Sequence, residues 1–508
     1  MAKAVFKNYT PNQLQLLPPS WDEKIDKAHP VRVVNSVIDR LDLRKLYASY
    51  AGGGSSSYDP KMLLKGIIFA YISNIYSSRK IEEAIKSNIH FIWLCGNNEP
   101  DHNTINRFRS EKIAPVLKGI FKQIVILLAE EGLVSLKDQY VDGTKLEANA
   151  NRYTFVWGNA IKTNKEKMAK QLDELWQYAQ TIAGEELKDT APIDFKTIDA
   201  EKVNQTISAI EEAIKDKPIT KKVKQKIDYA KKNYPQKLDE YKAKEQILDG
   251  RNSYSKTDTD ATFMRMKEDH MQNGQLKPAY NIQISTNNQV ITNYDIYPNP
   301  TDTLTLPSHI DSFRQLYGQC PETITADSGY GSDQNYEYME QQGITAYVKY
   351  NNFHQEQKGT RQKKYPFAQD YLHYNSLKDC YICPIGQEMK NIGSHIKKND
   401  NGFEQQITKY QAQNCKGCPL HALCHKSKEN RIIEVNHRLN KHKQKARENL
   451  ISPLGIIHRS QRPQDVEPVF GNLKHNKGFK RFLTRGKKKV STEFGLAAIA
   501  HNLMKKAA

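Results

Sequence analysis

The chain is short of apolar residues, of cysteine and of acid, and each shortage closes off a class of protein. Hydrophobic residues fill 38% of its 508 positions, and the mean hydropathy is −0.74. That is low for a compact globule, so part of the chain is expected to be solvated helix or linker. No apolar run approaches the ~20 residues of a membrane span; the longest, "IVILLAEEG" at 124–132, runs into two Glu. The opening "MAKAVFKNYTPNQ" lacks the apolar stretch of a signal peptide. A soluble, cytoplasmic protein with no membrane partner is the expectation. The seven cysteines form no secreted disulfide pattern.

Base is in excess. Against 57 acidic residues stand 76 basic ones, a net charge of +19. Such an imbalance calls for a polyanion, nucleic acid before membrane. The stretch "KHNKGFKRFLTRGKKK" at 474–489 holds eight Lys and Arg and no acid in sixteen residues. Phe479 and Phe482 are interleaved, so the segment can pack on a body while Lys474, Lys477, Lys480, Arg481 and Arg485 face a phosphate backbone.

Periodicity divides the chain into a loose arm (1–30), a helical region (31–132), a β-rich region opened by "LVSLKDQYVDG", and two insertions. In the helical region Asp59 is placed to cap a helix with Pro60 at its first position. "AGGGSSSYDP" at 51–60 reads as a flexible joint. Arg107, Arg109 and Lys112 follow "DHNTIN" and suit a helix laid on DNA, a reading no stronger than that of an ordinary surface helix. Residues 158–250 read as a helical hairpin or a pair of long solvated helices, interrupted at Pro218 and Pro235. Strands return at 278–287 and 289–298, joined at "NN" by a hairpin turn. A helix at 301–318, a strand at 323–326, a helix capped by Ser332 or Asp333, and a strand at 344–351 follow. Residues 352–433 form the second insertion. Beyond it come helices broken at Pro453 and Pro463, then a last helix capped by Ser491.

Two acids fall where strands are expected to stop: Asp142 before Gly143, and Asp327 before "SGYGS". A lone Asp there is often only a turn residue. Without its insertions, however, the order of elements is that of the ribonuclease-H-like fold, in which the first and fourth strands are neighbours. Asp142 and Asp327 would then lie side by side. Glu467, in "RSQRPQDVEPVFGNLKHNKGF", supplies a third carboxylate on a late helix, with Lys474 two helical turns beyond it on the same face. Phosphodiester transfer uses two cations ~3.5–4 Å apart, and Mg²⁺ is held by a few carboxylates together with phosphate oxygens and water. Other acids have plainer readings. Asp258 and Asp260 read as turn or cap residues, Asp302 as a helix cap and Asp465 as solvent-facing. Glu147 is a weak auxiliary candidate.

The stretches "YDPKMLLKGIIFAYI", "DHNTINRFR", "YVDGTKLEANANRYTFVW", "TDTDATFMRMK", "AYNIQIS", "ITADSGYGS", "VEPVFGNLKHNKGFKRFLTRG" and "AAIAHNLMK" run over most of the chain. In that order they resemble the bacterial insertion-sequence DDE transposases with an InsH-type helical N-terminal domain. The resemblance implies a DNA-binding domain at 31–132. It also implies a mixed α+β and α/β ribonuclease-H-like catalytic domain in pieces (133–157, 251–351, 434–508). Asp142, Asp327 and Glu467 would be its Mg²⁺- or Mn²⁺-binding catalytic triad, with two ions. The Tyr–Arg–Glu–Lys signature of many relatives falls on Arg462, Glu467 and Lys474, but Ser460 stands where the Tyr would be. The implied partners are double-stranded DNA, as terminal inverted repeats and target, and a second copy of the chain. An inactive DNA-binding remnant, or a nuclease without strand transfer, are the alternatives.

The second insertion carries Cys380-Tyr-Ile-Cys383 and Cys415-Lys-Gly-Cys418, two CxxC knuckles with the spacing of a structural four-thiolate Zn²⁺ site. Cys424 and His421 are further candidates and leave the ligand set open. CxxC also occurs in redox chemistry.

Overall fold

The computed structural model describes residues 20–50, 57–184, 195, 197–266, 274–399 and 402–507. Most of the expected N-terminal arm and of the 51–60 joint lies outside them. Ser20–Lys24 are exposed, and the chain is first anchored at Ile25, which is buried and whose carbonyl accepts from the Arg32 guanidinium at 3.0 Å.

Helices follow as far as Glu130. Asp59 caps Pro60–Ile72 by accepting from the Lys61 and Met62 amides. This region shares one core with the sheet and the last helix: Val34, Ile67 and Phe121 belong to the same buried cluster as Ile284, Tyr294 and Phe494. That last helix is Lys487–Ala507, five residues longer at its start than a Ser491 cap predicts. It is buried through much of its length, so it is a central strut rather than a surface amphipath.

The first eight strands are β1 (Asp138–Glu147), β2 (Phe155–Trp157), β3 (Ser253–Ser255), β4 (Thr262–Arg265), β5 (Leu276–Asn287), β6 (Val290–Tyr297), β7 (Thr323–Ala326) and β8 (Thr345–Val348). β5 is long enough to pair with both β4 and β6 along one edge. Its other edge pairs with β1, and the sheet continues through β7 to β8. β5 and β6 run antiparallel to their neighbours, whereas β1–β7 and β7–β8 are parallel. This is the strand order the ribonuclease-H-like reading requires. The β5–β6 hairpin turns through Asn288 (φ 52°) and Gln289 (φ 60°), the left-handed pair that matches the twist of the flanking strands.

The first insertion is not a hairpin. Gly158–Ile182, Ala200–Ala213 and Lys221–Leu248 make three helices with a core of their own, including Leu172, Trp176, Ile207 and Tyr234. Pro235 lies inside the third helix rather than interrupting it. The second insertion is a five-stranded antiparallel sheet of β9 (His373–Asn375), β10 (Cys380–Ile382), β11 (Glu388–Lys398), β12 (Glu404–Ala412) and β13 (Ile432–Val435).

Two helices then return to the catalytic sheet: His437–Ile451 and Pro453–Gly471. Pro463 and Pro468 are both inside the second, so Pro463 does not break it. A proline forfeits the bond to the carbonyl four residues back. For Pro468 that carbonyl is Gln464, and the Gln289 side-chain amide donates to it at 2.8 Å instead. The hairpin turn thereby helps to hold the helix that carries Glu467. No helix among the described residues is long and apolar enough to cross a membrane.

Candidate active site

Asp142 is in the middle of β1, not at its end: the strand runs on to Glu147. What ends there is the parallel neighbour. β1 and β7 pair at Asp138–Thr323, Gln139–Ile324 and Tyr140–Thr325, and the same register two residues further sets Asp142 beside Asp327. Past β7 the chain turns, and Asp327 Oδ1 accepts from the Gly329 amide at 2.8 Å. The turn role of Asp327 is therefore real and uses one oxygen. The other oxygen, Oδ2, faces Arg462 at 3.9 Å.

Arg462 stands among the three acids. Its Nη2 is 3.0 Å from Asp142 Oδ2, and its Nη1 is 3.9 Å from Glu467 Oε1. Arg462 and Asp142 are nearly buried, Asp327 is partly open and Glu467 is exposed. A buried guanidinium requires anions around it, and here the anions are the three predicted carboxylates. They come from a strand, a turn and a helix. Carboxylate oxygens are the ligand type a divalent cation takes, although among the described residues these three are not drawn close enough to one another to hold one.

A polar layer lies beneath. Gln283 pairs across the sheet with Gly143, and its side-chain amide donates to Asp302 Oδ1 at 2.7 Å; Asn281 donates to the same oxygen at 2.8 Å. Asp302 thus faces the sheet instead of capping the Leu306–Tyr317 helix, whose N-cap is Thr305. Tyr330, fully buried, donates its hydroxyl to Gln283 Oε1. Burial, then the carboxylates of Asp302, Asp142 and Asp327, push the Tyr330 phenol up, against the opposing charge of Arg462. Gly143 makes room for this layer: a Cβ there would lie 2.5 Å from Asp302 Oδ1.

Lys349, just past β8, is a site residue that the sequence reading missed. Burial, then Arg462 and Arg459, lower its ammonium's pKa, while Asp327 and Glu467 act the other way. The signal was available: "YVKYN" puts a cation at the end of the strand next to the one that leads into Asp327.

The other acids separate from the site. Glu147 is a hub for Arg152 (2.8 Å), Lys277 (3.8 Å) and Arg481 (3.9 Å). Asp258 is buried and accepts from the Tyr280 hydroxyl at 2.9 Å, and Asp260 accepts from the Lys487 amide at 2.8 Å. Asp465 is buried rather than solvent-facing, and burial raises its pKa.

The cationic candidates divide in the same way. Arg109 is buried and donates to the Tyr76 carbonyl at 3.0 Å; Lys112 donates to the Ser49 carbonyl at 2.5 Å. Only Arg107 of that group is exposed. Lys474 does not continue the Glu467 helix, which ends at Gly471; it sits, nearly buried, in a wider turn at Asn472–Asn476. Lys477 donates to the Ile72 carbonyl at 2.6 Å and packs against the helical region. Phe479 and Phe482 are buried as the interleaving predicts, which leaves Lys480, Arg481 and Arg485 exposed.

In the second insertion Cys383, Cys415, Cys418 and Cys424 line one small cavity with His421 and His425. Cys380 is buried in β10, outside that lining. Among the described residues, no group of three or more His, Cys, Asp or Glu is drawn together closely enough to form a metal cluster.

The chain thus sets a helical region before a sheet of ribonuclease-H-like strand order, with two carboxylates at the β1–β7 junction and one on a late helix. The chain matches the family described as Transposase DDE domain over residues 382–507, and the family described as Transposase domain (DUF772) over residues 19–111. Both matches support an insertion-sequence DDE transposase, a class of enzyme that generally uses divalent metal ions. The first match includes Glu467 and the cysteine cavity; the second includes Arg107 and Arg109. Comparisons with curated proteins and with solved structures give no match.

Proposed function

We propose that this transposase binds the terminal inverted repeats of its insertion sequence, cuts the DNA at their ends and joins those ends to target DNA, with Asp142, Asp327 and Glu467 as its triad. The observation that carries this reading is the convergence of the three carboxylates on Arg462. The donor set fits Mg²⁺ or Mn²⁺, held by these acids as a pair of ions that would stabilise the attacking and leaving oxygens of an in-line displacement. Arg462 keeps the acids together while they carry like charge, and it remains at hand to bind a phosphate oxygen. Lys349 offers a second cation on the same rim. Lys480, Arg481 and Arg485 form an exposed basic track suited to the flanking duplex. A dimer on paired ends accords with this reading.

The test is a strand-transfer assay. Labelled duplexes ending in the element's terminal repeat are incubated with a supercoiled target plasmid, Mg²⁺ and the full chain. Label joined covalently to the plasmid is the expected result. Cleavage at the ends without joining would mark a nuclease, and binding without cleavage an inactive remnant.

A further inference from the structure

The cysteine insertion holds a site separate from the acidic one. Side chains alternate along a strand. In β10 Tyr381 pairs with Met389 of β11, which pairs with Ala412 of β12. These three share a buried cluster, and Cys383 and Cys415 pack against it. Cys380, adjacent to Tyr381, points to the opposite face. Of the two expected knuckles, therefore, one contributes both thiols and the other only Cys383, and Cys424 completes the set around the cavity.

The sulfurs are already met by donors. The Gln387 amide donates to Cys383 Sγ at 3.3 Å and the Arg431 amide to Cys415 Sγ at 3.4 Å. Arg431 also reaches a third sulfur: its Nη1 is 2.9 Å from Cys424 Sγ, and its Nη2 donates to the Phe367 carbonyl at 2.7 Å. Arg431 is only 8% exposed, and among the described residues no carboxylate pairs with it. A charge this deeply buried requires a compensating one. Apart from the Phe367 carbonyl, what Arg431 touches is sulfur: Cys424 through its guanidinium and Cys415 through its amide.

We propose that Cys383, Cys415, Cys418 and Cys424 hold one structural zinc ion as four thiolates, with Arg431 as their counter-ion, and that Cys380 is not a ligand. The ion would tie the loop before β13 to the β10–β11 turn. The turns suit the role: Gly386 (φ 88°) and Gly417 (φ 72°) follow Cys383 and Cys415 in the left-handed region, which glycine enters without strain. His421 and His425 share the cavity, their rings 4.5 Å apart. Among the described residues both nitrogens of His425 lack a hydrogen-bond partner, which makes the two histidines the rivals to exclude.

Zinc content of the purified full chain, measured by atomic emission after dialysis, tests this. Wild type, C380S and a His421→Ala/His425→Ala double variant should each hold one zinc per chain, and C424S none above background. R431M should bind zinc about tenfold or more weakly. The Co²⁺-loaded wild type and C380S should share one four-thiolate absorption spectrum, a comparison that does not depend on C424S folding. Loss of zinc in C380S or in the double histidine variant, or a wild type that neither contains nor takes up zinc, would overturn the proposal. No DNA is involved, so failure of the strand-transfer reading and failure of this one are distinguishable.

Discussion

The Arg462 guanidinium lies 3.0 Å from the Asp142 carboxylate, and the two side chains are 9% and 10% exposed. Breaking a buried pair from one side leaves the other charge uncompensated, at a cost of about 3–5 kcal/mol. Arg462→Ala should therefore lower Tm in EDTA. A cation bound by the freed acids would replace the lost charge, so Mg²⁺ should raise the variant's Tm more than the wild type's. Thermal unfolding of both proteins with EDTA and with Mg²⁺ checks this; equal Mg²⁺ gains would mean that Arg462 and the ion do not share the acids.

Gly143 has Asp302 Oδ1 against it, 2.5 Å from where a Cβ would stand. Gly143→Ala should destabilise the fold by about 1–3 kcal/mol through overpacking, and it should disturb the neighbouring Asp142. Chemical denaturation would measure the first effect and end cleavage the second. A variant with wild-type stability and activity would show that the Asp302 layer yields freely.

Much of the geometry of this candidate site was legible in the sequence, for reasons that differ by residue. Asp327 stood out because turn chemistry is a local signal, and Glu467 because of its place on a late helix; Asp142 was read at a strand end but lies mid-strand, and element order alone supplied its adjacency to Asp327. The Arg462 contacts were only partly visible, since a motif position says nothing about which acids a guanidinium reaches. Pro463 read as a helix break because the proline penalty is local, whereas the bond from Gln289 that offsets the nearby Pro468 comes from across the sheet. Asp465, Arg109 and Lys477 read as exposed because charge is normally solvated; each is instead held by packing between distant segments. The first insertion read as a helical hairpin or pair of helices interrupted at Pro218 and Pro235, whereas the long third helix runs through Pro235.

His501 in the last helix accepts from the Asn472 side-chain amide at 2.9 Å through Nδ1 and donates to the Gln289 carbonyl at 2.8 Å through Nε2. Burial holds its pKa down at about 4, against an ordinary 6.5. The unfolded chain therefore binds a proton between pH 6.5 and 4 that the folded chain refuses, and stability falls as pH drops through that window. At 1.36 kcal/mol per pH unit, the loss from this group between pH 6.5 and 5 is about 2 kcal/mol. His501→Gln should lose that much less over the same interval in urea unfolding; an unchanged pH slope would contradict the neutral assignment.

Exposed and buried cations should behave differently on DNA. Arg481→Ala and Arg485→Ala should each reduce the slope of log affinity against log salt by about 1 if each contacts a phosphate. Arg109→Ala should instead lower stability and leave the slope unchanged, because its guanidinium is committed to the Tyr76 carbonyl. Fluorescence anisotropy over a salt series, with Tm measured in parallel, separates the two outcomes.

The central claim, that Asp327 serves chemistry as well as its turn, is tested most directly by Asp327→Ala. The measurement is Mg²⁺-dependent cleavage of labelled terminal-repeat DNA by wild type and variant, with DNA binding quantified on the same preparations. The account predicts cleavage at the ends by the wild type and none by the variant, with binding retained. Equal cleavage by both would make Asp327 a turn residue alone and contradict the triad.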